Sequence, residues 1–92
     1  MSTTADIKQE IHNAELVPMT ELLKGENGEV VQINTKGLLR QRLMEMGLTT
    51  GVNVKFLRRG AFGDPKSYLI RGTMIALRNE EAGKIIVRRI YE

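Results

Sequence analysis

The side chains capable of covalent or metal chemistry in this chain are few and poorly placed for it. Its single histidine, His12, lies three residues before Glu15 and offers half of a metal site, but the sequence supplies no third ligand beside them. Cysteine is absent, which removes thiolate ligands and thiol nucleophiles. The two serines, Ser2 and Ser67, stand outside any G-x-S-x-G turn, and no glycine-rich phosphate loop occurs. Glu80 and Glu81 are adjacent carboxylates, and neighbours on a helix point about 100° apart, a poor geometry for an acid–base pair. Met19, Met44, Met46 and Met74 are thioethers that can ligate soft metals. They read better as gap fillers in a core whose whole aromatic complement is Phe56, Phe62, Tyr68 and Tyr91. The expectation is therefore no enzyme, no cofactor and no metal site, which leaves a binding module.

Two segments carry recognition chemistry. In Arg58-Arg59-Gly60-Ala61-Phe62-Gly63-Asp64-Pro65 an aromatic flanked by glycines stands close to two arginines, the residue types that dominate interface hot spots. The same sequence equally allows Phe62 to fold back and plug the end of the fold. In Leu38–Met46, Leu39, Leu43 and Met46 follow the i, i+4, i+7 line of a helix, while Leu38 and Met44 fall off it and suit either a second packing side or a partner. The candidate partner-binding residues are accordingly Leu38, Leu43, Met44, Arg58, Arg59, Phe62 and Asp64.

Charge points the same way. The net +3 conceals an asymmetry: residues 1–29 hold two lysines against six acids, net −4, and residues 30–92 hold twelve Lys and Arg against five acids, net +7. A basic body suits an anionic partner, whether nucleic acid, phosphate or an acidic protein face, and it equally suits a merely soluble surface.

The elements that must position these residues are short. Ninety-two residues make one domain, not two. Residues 1–14 are polar, with Ile7 and Ile11 spaced for at most a marginal helix, and are expected to be a flexible extension before a domain at 15–92. Leu16-Val17-Pro18-Met19 reads as an edge strand because Pro18 cannot donate to a ladder. Thr20 is placed to cap a helical turn through Lys24, stopped by Gly25. Gly28–Thr35 alternates as a strand, and Gly47 is placed to end the following helix in a Schellman motif with Leu48 against Leu43. Val52–Phe56 is a period-2 strand. Lys66–Arg71 and Met74–Arg78 form a hairpin about Gly72-Thr73, Asn79–Ala82 a capped helical turn, and Lys84–Ile90 the last strand. The fold class expected is mainly β, a small SH3-like barrel with one inserted α-helix, closed so that no edge is exposed; an OB-type barrel is the alternative.

Four stretches in this order, Leu22–Ile33, Arg42–Gly51, Gly63-Asp64-Pro65 and Ala76-Leu77-Arg78, resemble the FeoA family of ferrous iron transport accessory proteins over about residues 15–90. The resemblance implies an SH3-like domain, free-standing here, acting in the cytoplasm beside FeoB, the membrane GTPase that imports ferrous iron, by protein contact. It assigns nothing to residues 1–14, and Phe62 stands where the family usually has a smaller aliphatic residue. A role for Arg58 or Arg59 as an arginine finger is conceivable. The runner-up is a small basic nucleic-acid-binding barrel, opposed by the scarcity of aromatics for base stacking. Capture of Pro-rich peptides lacks an aromatic groove. No apolar run approaches the roughly 20 residues of a membrane helix, and the first residues lack the parts of a signal peptide, so a cytoplasmic protein, peripheral to the membrane at most, is expected.

Overall fold

The computed structural model describes residues 16–91. The reading of residues 1–14, with His12, lies outside them. Six strands and two helices follow in the order β1 (Leu16–Pro18), β2 (Asn27–Ile33), α1 (Gly37–Glu45), β3 (Asn53–Arg59), β4 (Lys66–Ile70), β5 (Thr73–Leu77), α2 (Asn79–Ala82) and β6 (Ile85–Ile90), with a 3₁₀ turn at Met19–Glu21 after β1. The strands form one antiparallel sheet in the order β1-β6-β2-β3-β4-β5. This is the mainly β architecture with one substantial helix that the sequence predicts. Full closure is not reached: β1 and β5 each pair with one neighbour and not with each other. A three-residue β1 that ends in Pro18 has too few free N–H groups to bridge the gap.

Each element follows from local chemistry. In β2, Val30 and Ile33 are both buried although three positions apart, because the register against β6 shifts between Val30 and Gln32. The extra residue, Val31, returns the strand to its buried face. α1 ends as the sequence predicts. Gly47 takes φ +98°, its N–H donates to the Met44 carbonyl at 3.0 Å, and the Leu48 N–H donates to the Leu43 carbonyl at 3.0 Å, the paired bonds of a Schellman ending. Leu43 and Leu48 then sink into the core with Val54, Tyr68, Ile85 and Val87.

Two turns differ from expectation. Instead of a helical turn through Lys24, Leu22 is extended, the Glu26 carboxylate accepts the Leu23 N–H at 2.7 Å, and the Glu26 N–H donates to the Leu23 carbonyl at 2.8 Å. The acid after Gly25 thus closes a turn where a helix would have continued. The hairpin turns about Arg71-Gly72, not Gly72-Thr73, with φ of 52° and 80°. Positive φ at both central residues is the primed turn whose twist matches the flanking strands, and that match outweighs the cost of a left-handed arginine.

Gly28 marks the tightest contact in the sheet. A Cβ built there would lie 2.9 Å from Val87 Cγ2 and 3.0 Å from Val87 Cβ, so neighbouring strands can approach only because the atom is missing. We expect Gly28→Ala to lower unfolding stability by about 1–3 kcal/mol through overpacking, read as a lower urea midpoint at unchanged slope.

Candidate docking surfaces

The loop after β3 is held from below and displays its tip. The Gly60 N–H donates to the Pro65 carbonyl at 2.8 Å, and a Cβ at Gly60 would meet that carbonyl at 2.9 Å. The Asp64 carboxylate accepts the Asn79 backbone N–H at 2.9 Å, and the Asn79 side-chain amide donates to the Gly63 carbonyl at 3.1 Å. Asn79 is therefore not the side-chain cap of α2 that the sequence suggests. The helix opens after Arg78, whose N–H the Glu81 carboxylate accepts at 3.1 Å, and Asn79 reaches sideways to lock the loop. With the base fixed, Phe62 is 97% exposed. Of the two readings open in the sequence, the structure takes the outward one.

Below the loop, the Tyr68 ring packs tilted at 47° against Phe56, with ring centroids 5.6 Å apart. Its hydroxyl is buried and meets no hydrogen-bond partner among the described residues. Burial, with the Asp64 charge adding to it, pushes the Tyr68 phenol up to about 12 from an ordinary 10.0.

α1 presents Leu38, 79% exposed, and Met44, 43% exposed. Leu43 corrects the sequence reading. It is completely buried, because the line Leu39, Leu43, Met46 is the face that holds α1 on the sheet, so it belongs to the core and not to a docking surface. Met44 borders a shallow hollow with Gly37, Arg40, Gln41 and Glu45.

Arg58 and Arg59 do not join Phe62 and Asp64. They line a separate groove of about 420 Å³ with Lys24, Lys66, Leu22, Leu23 and Phe56, beside Thr20 and Glu21. Two features make it. The Gly25 N–H donates to the Phe56 carbonyl at 2.8 Å and the Phe56 N–H to the Glu26 carbonyl at 3.0 Å, which holds the 22–26 turn along β3. The register against β4 then shifts between Phe56 and Arg58, and a bulge of this kind re-aims the side chains that follow. Lys66 Nζ donates to the Thr20 carbonyl at 3.0 Å and lies 5.8 Å from the Phe56 ring centroid. Lys24, Lys66 and Leu23, which is 66% exposed, were not among the residues picked from sequence. The pairing that assembles them is long-range, and its one local signal was the Gly25-Glu26 turn.

The FeoA domain family matches residues 17–89, nearly all of the described chain. The chain belongs to the FeoA domain family. A fusion of Fe(2+) transport protein A with the Fe(2+) transporter FeoB from Porphyromonas gingivalis is 32% identical over 72 residues, 78% of this chain. The match spans only 8% of that much longer relative. The solution structure of a FeoA protein from Chlorobium tepidum aligns with TM-score 0.77 and 32% identity, over 82% of this chain and 71% of the other. A zinc-complexed FeoA from Stenotrophomonas maltophilia, described as a prokaryotic SH3 domain protein, aligns with TM-score 0.67 and 26% identity, over 75% of this chain and 86% of that one. The fold is thus the SH3-like domain of the FeoA family. Among the described residues, no helix is long and apolar enough to cross a membrane.

The Tyr68 hydroxyl gives a pH test. Its folded-state pKa lies above the unfolded one, so its contribution is intact below pH 10 and is lost as pH rises towards 12. Alkaline urea titrations should show a steeper loss of stability in the parent than in Tyr68→Phe. At neutral pH that variant should be no less stable, since it removes a buried hydroxyl without a partner.

Proposed function

We propose that this chain is a non-enzymatic accessory protein of ferrous iron uptake that docks on the cytoplasmic side of a FeoB-type membrane GTPase. The fused relative carries the argument. One chain there combines a domain like this one with the transporter, and covalent fusion holds two domains at the high effective concentration that separate chains reach only by binding. The surface has what docking needs. Phe62 is a rigid aromatic on a locked loop, and Leu38 and Met44 add apolar area on α1. Asp64 in the loop, and Arg58 and Arg59 on the separate groove, supply charge, and charges of this kind steer encounter and fix orientation. The arrangement holds no nucleophile, base and orienting acid together, so regulation by contact is the reading that its chemistry supports.

The test is an NMR titration of the isotope-labelled chain with the isolated GTPase domain of such a transporter, beside a random-sequence RNA. Shifts clustered on residues 58–65 or at Leu38 and Met44 with the GTPase domain are the expected result, and Phe62→Ala should weaken that binding about tenfold or more. Shifts with RNA alone would replace this reading with the nucleic-acid one.

A further inference from the structure

The cations of this domain divide by whether the fold already uses them. Arg42 pairs with Glu81 at 3.4 Å, Arg88 with Glu29 at 3.0 Å and Arg89 with Glu26 at 3.2 Å, while Arg40 donates to the Ile33 carbonyl at 2.9 Å. Lys24, Arg58 and Arg59 have no hydrogen-bond or ion-pair partner among the described residues, and all three line the same groove, whereas the other unpaired side chains, Lys36, Lys55, Arg71, Arg78 and Lys84, lie outside it. Lys66 is held in place there by one bond to the Thr20 carbonyl, which leaves two of its three N–H groups to offer. Four cations thus face one carboxylate, Glu21. A different hollow, between the end of β2 and α1 and lined by Ile33, Asn34 and Thr35, gathers only Lys36 and Arg40, and Arg40 is already bonded.

The groove's composition selects the anion. Its free cations are long side chains and not a nest of backbone amides, so it lacks the main-chain cradle that suits a compact phosphate. Phe56 is only 6% exposed, which withholds the aromatic face that single-stranded nucleic acid stacks on. Leu23 stands exposed at the rim and gives an apolar contact that neither ligand would use. We propose that this groove seats an extended acidic segment of a partner protein, with carboxylates on Lys24, Arg58 and Arg59 and one apolar side chain against Leu23. The inference rests on the reading that the chain acts by protein contact, and it names the chemistry of that contact.

The test uses the whole labelled chain and a short peptide in which Asp and Glu flank a central Leu. The expected result is shifts confined to residues 20–24, 56–59 and 66, weakened by salt. The double variant Arg58→Gln, Arg59→Gln should lose about tenfold in affinity with unchanged circular dichroism and Tm, while Lys84→Gln, outside the groove, loses nothing. Changing the peptide's Leu to Ser should also weaken binding. Silence at millimolar peptide, equal losses in both variants, or the same amides moving as strongly with inorganic phosphate or with RNA would overturn the proposal. Adding the transporter's GTPase domain separates the two readings. If that domain moves the 60–65 loop or α1 and leaves the groove silent, docking stands and the groove proposal falls. If the peptide fills the groove and the GTPase domain moves nothing, the groove stands and the transporter reading falls.

Discussion

The backbone of Phe56 is the point on which the geometry around β3 depends. Its N–H and C=O are both taken by Glu26 and Gly25, so the β2–β3 pairing continues past the end of β2 and pulls the Leu22–Lys24 turn against β3. Its ring packs against Tyr68 and lies under the Lys66 ammonium, and beyond it the ladder bulges. A buried backbone group without a partner costs about as much as a lost hydrogen bond, so these two bonds fix the turn firmly. The groove beside β3 takes its shape from this one residue, while the Phe62 loop is held separately by Asn79 and Pro65.

The charge distribution has a structural origin. The acidic first part of the chain and the basic remainder meet across the sheet, where Glu29 pairs with Arg88 and Glu26 with Arg89. Such partly exposed pairs contribute about 0–1 kcal/mol each, so they stabilise little. Their larger effect is on the surface field. By neutralising β6 they leave the unpaired positive charge on other faces, and the groove gathers three of those cations, Lys24, Arg58 and Arg59. A field gathered in this way raises the rate of encounter with an acidic partner without adding to the stability of the fold.

Much of this was legible from the residues. The helix from Leu38, its ending at Gly47 and Leu48, the short Pro18 strand and the last strand follow from local periodicity and turn chemistry, which act within a few residues. The number of short strands and the need to hide their edges pointed to the SH3-like fold class, and the resemblance to FeoA implied the same one. What failed was decided by single residues acting against their propensity or by contacts at longer range. The hairpin register depended on a left-handed Arg71 that no propensity favours, and the 22–26 turn on a carboxylate reaching back to Leu23. Asn79 looked like a cap and instead bridges to Asp64 and Gly63, fifteen and sixteen residues away. Leu43 lay on the apolar line already identified as the core face, and its burial shows that helix periodicity was the better guide there. The groove was invisible because Lys24, Arg58 and Lys66 are brought together only by pairing between distant strands.

On the reading proposed above, this domain meets its partner through the surface around β3 and the loop that follows it. Hydrogen–deuterium exchange of the chain, alone and with an intact FeoB-type transporter in lipid nanodiscs, tests it most directly. The account predicts slowed exchange in residues 20–24 and 56–66, with β6 unchanged. Protection confined to β5 and β6, or none anywhere, would contradict it.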